Sequence, residues 1–316
     1  MTGSKLHHYV PQFYLRRFVD DQTGRVWLWE RDTDRVISTH PKGVAAERRF
    51  YHLSELEQQG HDPLTMETQL SKVENDAALV TSEWLERLSQ ISPGDRIPIP
   101  DSNREAMSLY IALQFLRTRD AREILLALAK SSQPSISQEE GQHLHAMMLW
   151  DEELVWGLAD RIANASWVFA RNTTKVPFIT SDNPVAFRAG DNSMWLKVAV
   201  HSTGAYAVFP LSPKLILYCF PSEPPWVNMK KFDACLSPVI LTDGMVKDEN
   251  TAQVFMASRF VISRQNNFND ERAFARTIGT DRYAAGWKAR RGGSPLDVLL
   301  DNSQDSDPTP RTAPFR

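Results

Sequence analysis

The chain has 316 residues, a formal net charge of −3 and a pI near 6.3, with 42% hydrophobic and 24% charged residues. That length buries a sizeable core and that composition belongs to ordinary globular proteins, which excludes fibrous and disordered classes, while the acidic balance leaves only a local groove for a phosphate backbone. Two cysteines, Cys219 and Cys235, are too few for a disulfide scaffold or a Cys-rich zinc site and suit a reducing compartment, so the cytoplasm is the expected location.

No apolar leader opens the sequence, and no apolar run reaches the roughly eighteen residues of a membrane span, so no membrane partner is expected. Residues 25–30 and 35–39 alternate around a polar turn at 31–34, which predicts a hairpin with Val26, Leu28, Val36 and Ser38 on one face and Trp27 and Trp29 on the other. Over 63–90 the spacing of Leu64, Leu70, Val73, Ala77, Val80, Trp84 and Leu88 predicts a helix, stopped by Ser92-Pro93-Gly94. A second helix is predicted after the capping cluster Asp101-Ser102-Asn103, running to about Lys130. Ser137 and Glu140 form a capping box for a third, which continues through Trp150, Leu154 and Leu158. Strands are expected at 167–170, 177–180, 206–211 and 215–220, with a late helix at 249–257. The predicted fold is α+β: an N-terminal β-hairpin, a helical middle and a C-terminal mostly antiparallel β region, in a single compact domain over 1–280. Residues 281–316 read as a weakly structured to disordered C-terminal tail, because little in them is apolar enough to bury.

The most unusual stretch is 5–18, Lys-Leu-His-His-Tyr-Val-Pro-Gln-Phe-Tyr-Leu-Arg-Arg-Phe. Behind it, in order, stand Phe50-Tyr51, Glu67 with Glu74, the run from Gln114 to Arg119, Thr180-Ser181-Asp182-Asn183-Pro184-Val185, and Phe209-Pro210-Leu211-Ser212-Pro213. Together these pieces resemble the domain of unknown function 4238 family. The resemblance implies no established activity, and a fold alone would not supply one, so the chemistry rests on the residues themselves.

Adjacent histidines are an odd choice for a core, because each imidazole carries a donor and an acceptor that need partners when buried. In an extended segment His7 and His8 point to opposite sides, so one faces a pocket and the other solvent or packing. The reading chosen puts His8 at the site, with His7 among the binding residues; the plainer one makes His8 a hydrogen-bonded strap for the N-terminal strand. Glu67 and Glu74 lie on one side of a helix about 10 Å apart along its axis, too far to share one ion directly, and structural pairing with Arg117 and Arg119 competes with a functional role. Gln114 shares a helix face with Arg117 and falls where leucine would suffice, which favours a polar task, and two nearby arginines would receive a phosphate or carboxylate. Asp182 and Asn183 stand in a turn at a strand end; turn chemistry explains one of them, and Asp182 is taken as the carboxylate that works with His8.

Walker-type loops, dinucleotide fingerprints, His-Glu-x-x-His helices and Gly-x-Ser-x-Gly elbows are absent from the sequence. Histidines 143 and 145 diverge on a helix and make a poor zinc pair. The function expected is a hydrolase, specifically a metal-dependent nuclease or phosphodiesterase in stress or defence. In it His8, Asp182 and Glu67 are catalytic, and Glu67 and Asp182 hold a divalent cation such as Mg2+ or Mn2+. His7, Gln114, Arg117, Arg119 and Asn183 bind a nucleic acid or small phosphate-bearing ligand. The competing expectation is a non-catalytic module that binds an anionic ligand, or a protein partner through the paired tryptophans.

Overall fold

The computed structural model describes residues 6–48, 50–51, 65–198, 200–278 and 286–288. Its order is N-terminal antiparallel strands, a helical middle and a C-terminal, mostly antiparallel sheet region, the α+β arrangement read from the sequence.

The N-terminal motif is built into the body of the protein. Strand β1 (Leu6–His8) pairs with β4 (Ala46–Arg48), His7 opposite Glu47 and His8 opposite Ala46. Pro11 then opens the short helix α1 (Gln12–Leu15), where a fixed φ suits a helix start. Tyr9, Val10, Tyr14, Leu15 and Phe18 are all buried. The Tyr14 hydroxyl donates to the Pro210 carbonyl at 2.8 Å and bonds the Thr180 hydroxyl at 2.8 Å, while its ring stacks on Phe209, so one residue ties the N-terminus to two sheets. Five such side chains at about 1.5–3 kcal/mol each approach the whole stability of an ordinary domain. Deleting residues 1–18 is therefore expected to give insoluble or unfolded protein, checked by solubility and a thermal melt. A truncated chain melting at the wild-type temperature would refute it.

The hairpin forms where expected, from β2 (Val26–Glu30) and β3 (Arg35–Thr39), but its faces differ from the prediction. Trp27 stands opposite Ser38 and Trp29 opposite Val36, so Val36 and Ser38 share the tryptophan face, and Leu28 faces Ile37 instead. The cross-strand register decides this, and alternation within each strand is silent about it. Strand β2 is also interior: it pairs with β12 (Phe260–Ser263), which pairs with β6 (Thr180–Ser181), giving a four-stranded sheet in the order β3-β2-β12-β6.

Helix α2 (Thr65–Gln90) ends at the predicted stop, and its predicted start at 63–64 lies outside the described residues. The second predicted helix is two. Helix α3 (Asp101–Leu116) begins directly after Pro100, so Asp101, Ser102 and Asn103 are its first turn and not its cap. It stops at Arg117, and Thr118 turns extended, accepting from the Ala121 amide to cap α4 (Arg119–Ser132). The buried His145 ring sits 2.9 Å from the Leu116 carbonyl at the end of α3, and burial pushes that imidazole down to about 4, so it stays neutral and donates through Nε2. The predicted third helix divides likewise. The capping box starts α5 (Gln138–Trp150) as read, but Asp151 is extended and caps a new helix, α6 (Glu152–Ala163), through the Leu154 amide.

The large sheet runs β11-β5-β10-β9-β7-β8-β13, antiparallel except where β11 (Cys235–Leu236) meets β5 (Ser166–Arg171). Its centre, β9 (Tyr206–Ser212) and β10 (Leu215–Phe220), is buried along its whole length, and β7 (Ala186–Arg188) and β8 (Met194–Leu196) continue it. The predicted strand at 177–180 contributes only β6, and the late helix is longer than read, α7 (Asp243–Met256). Helix α8 (Asn269–Ile278) follows β12. Of the stretch 281–316, the described part is β13 (Gly286–Lys288), paired with β8. Both cysteines are buried thiols, and no helix of the described residues is long and apolar enough to cross a membrane.

Candidate functional site

The break between α3 and α4 aims three consecutive polar residues in different directions, and two buried polar clusters grow from it. On one side Arg117, 1% exposed, has its guanidinium used up by the protein: Nη1 donates to Glu74 Oε1 at 2.7 Å, and Nε and Nη2 donate to Gln114 Oε1 at 3.1 and 2.7 Å. Gln114 Nε2 donates in turn to the Tyr9 carbonyl at 2.9 Å. A leucine at 114 would leave Nε and Nη2 of Arg117 and the Tyr9 carbonyl without this partner, which explains a buried amide on an otherwise apolar helix face. The sequence thus placed Gln114 and Arg117 together, and it is Glu74 that pairs with Arg117.

Glu67, seven residues before Glu74 on α2, is the unusual member of this cluster. Its Oε2 is buried with no hydrogen-bond partner. Burial first, and then the charge of Glu74, push its carboxyl up to about 7, with Arg117 pulling weakly the other way. His7 is the buried histidine of the pair: its Nδ1 accepts from the Tyr51 amide at 3.1 Å and its ring stacks on that tyrosine. An accepting Nδ1 puts the proton of the neutral ring on Nε2. The Tyr51 hydroxyl lies 3.4 Å from the carbonyls of both His8 and Arg117, which closes the cluster onto β1.

On the other side of the break Asp120, also buried, receives Lys197 Nζ at 3.1 Å on Oδ1 and 3.0 Å on Oδ2, and Asn183 Nδ2 at 3.2 Å on Oδ2. Asn183 Oδ1 is buried without a partner. Neither Asp120 nor Lys197 was singled out from the sequence. Asp120 had a signal, since it directly follows Arg119 in the run that begins at Gln114; Lys197 follows Met-Trp-Leu and had none. The Tyr9 carbonyl holds Gln114, and burial together with the Asp182 charge keeps the Tyr9 phenol protonated.

The remaining predicted residues have other tasks. The His8 ring nitrogen lies 3.0 Å from the Lys42 carbonyl and 3.3 Å from Gln12 Nε2, the strap arrangement that was the plainer reading. Arg119 pairs along its own helix with Glu123 at 2.7 Å and is partly exposed. Asp182 is completely buried and accepts four bonds: the Ser258 amide on Oδ1, and the Ser258 hydroxyl and the Arg259 and Phe260 amides on Oδ2, at 2.8–3.1 Å. Burial pushes its carboxyl up and those four donors pull it back. No hydrogen bond joins His8 to Asp182 among the described residues, and each ring or carboxylate oxygen of that expected pair is engaged elsewhere.

Residues 6–267 match the family described as protein of unknown function, DUF4238. The chain belongs to that family. No curated protein and no solved structure matches it. Most segments that carried the DUF4238 resemblance meet in or border the two clusters: the His-His-Tyr strand, Tyr51, the Glu67 to Glu74 face, the Gln114 to Arg119 run and the Asp182-Asn183 turn, while the Phe209 to Pro213 segment packs on Tyr14 instead. Among the described residues, no group of three or more His, Cys, Asp or Glu side chains is placed to hold a metal ion, and Asp182, one half of the expected ligand pair, has both oxygens committed to protein donors.

Proposed function

We propose that this DUF4238 protein is a hydrolase whose proton-transfer group is Glu67, acting as a general base on water. The observation that carries the reading is a carboxyl oxygen of Glu67 that is buried and unpartnered, on a group brought to about 7, beside a second carboxylate tied to arginine. A buried carboxyl held above its ordinary range is a usual sign of an acid–base group, and a base that titrates near the working pH balances its own protonation state against driving force. Glu74 raises Glu67, Arg117 fixes Glu74, and Gln114 fixes Arg117, so each is a positioning residue in a chain that ends at the base.

The rival reading, an anion-binding module, draws less support. Arg117 spends Nε, Nη1 and Nη2 on Gln114 and Glu74, and Lys197 is paired with Asp120, which leaves the partly exposed Arg119 to meet a phosphate after release from Glu123. A nuclease or phosphodiesterase remains the narrower form of the proposal, with Arg119 as its phosphate contact. No step is assigned to a divalent cation, because among the described residues the carboxylates and imidazoles are not gathered into a ligand set.

A panel of p-nitrophenyl esters, phosphodiesters and glycosides tests the proposal. At least one class should be hydrolysed above buffer, with kcat/KM rising with pH through about 7, the sign for a base active when deprotonated. Glu67→Gln should lower that rate by about 10²–10⁴ while melting as wild type. Undiminished hydrolysis by folded Glu67→Gln, or an inert wild type across the panel, would count against it.

A further inference from the structure

Away from these clusters, the C-terminal half of α2 and the ends of β5 and β10 border a cleft of about 480 Å³, within the size range of small-molecule sites. Leu85 on its wall lies about 16 Å along the helix axis from Glu74, so the cleft is separate from the proposed site. Leu85, Leu88 and Leu215 supply apolar surface, and Arg171, Lys214 and Thr173 supply donors; among the described residues no aspartate or glutamate lines it. Arg171 is anchored at one end, where Nη2 donates to the carbonyls of Leu88 and Ile91 and so satisfies the end of α2. Lys214, exposed in the turn between β9 and β10, makes no ion pair among the described residues.

Two cationic side chains and a leucine wall in one cleft suit a ligand with an anionic head and an apolar body. We infer that the cleft binds a medium-chain carboxylate, its carboxylate shared between the Arg171 guanidinium and Lys214 and its chain laid on the three leucines. A neutral amide head would lose the charge on both contacts, and a short anion such as acetate would lose the apolar wall.

Calorimetric titration of the whole protein with octanoate and with octanamide tests this. Octanoate should bind saturably at one site and octanamide at least tenfold more weakly. Lys214→Glu, at an exposed position, should weaken octanoate at least tenfold and leave octanamide unchanged, and Thr173→Trp should fill the cleft and abolish both, with each variant melting as wild type. Absence of saturable octanoate binding to wild type up to roughly 10 mM would overturn the inference. Equal affinity for the amide, or unaltered octanoate binding by Lys214→Glu or Thr173→Trp, would overturn it too.

Discussion

Asp182→Ala is expected to melt well below the wild type, with a loss of about 3–5 kcal/mol, because three amides and a hydroxyl of residues 258–260 lose their common acceptor. Each buried donor left unpaired costs about 1–3 kcal/mol, and the lower end applies to Arg259 and Phe260, whose amides are only partly buried. Asp182→Asn keeps one carbonyl oxygen, which three donors at the Oδ2 position can still use, so it should cost about 1–2 kcal/mol. For a chain of this size each kcal/mol moves the midpoint by roughly 1.5–2 °C, which makes the two variants distinguishable in a thermal melt. The grading matters: Asp182 orients the start of β12 and so holds the β6 turn that carries Asn183 into the second cluster. Wild-type melting for Asp182→Ala would mean that these bonds do not form.

Glu74→Ala leaves the Arg117 guanidinium, 1% exposed, with Gln114 as its remaining side-chain partner. An uncompensated buried charge ordinarily costs about 3–5 kcal/mol, and because Glu74 itself is 23% exposed, water entering behind it reduces this to about 2–4 kcal/mol. The double variant Glu74→Leu with Arg117→Met should recover part of the loss, since removing both charges removes the desolvation cost. Recovery stays incomplete because the buried Gln114 carbonyl then lacks its donors. Urea denaturation of the wild type, Glu74→Ala and the double variant checks both statements. A single variant as stable as wild type would show that the pair carries no net stability.

How far the sequence foretold this fold depended on the kind of signal each element carried. Long amphipathic periodicity and a capping box placed α2 and the start of α5, because both are local properties of the chain. The breaks at Arg117 and Asp151 were missed because apolar spacing continues across them; Thr118 and Asp151 are good caps, but helix interiors tolerate such residues when a neighbour does not claim the ends, and here His145 claims the carbonyl of Leu116. Short strands such as β7, β8 and β11 are set by their sheet neighbours and leave no periodic trace.

The same division holds at the site. Gln114 and Arg117 were legible as a pair because they share a helix face, and Glu74 because a carboxylate on the preceding helix is the natural partner of an arginine fork. Which histidine faces inward was not legible, since alternation fixes opposition and not direction; pairing with β4 and stacking on Tyr51 put His7 inside. Asp182 looked chemical because a turn needs only one Asx residue, yet its acceptors serve a strand 76 to 78 residues away, a contact that sequence spacing does not reveal.

The proposed chemistry turns on the state of one carboxyl. Glutamate side-chain carboxyl carbons can be labelled with carbon-13 and titrated by NMR in the folded protein, with the Glu67 resonance assigned by its disappearance in Glu67→Gln. The predicted result is a Glu67 midpoint at about 7, falling when Glu74 is replaced by Gln, because the neighbouring charge that raises it is gone. A Glu67 midpoint near the 4.3 of a free glutamate would contradict the proposed base and with it the hydrolase reading.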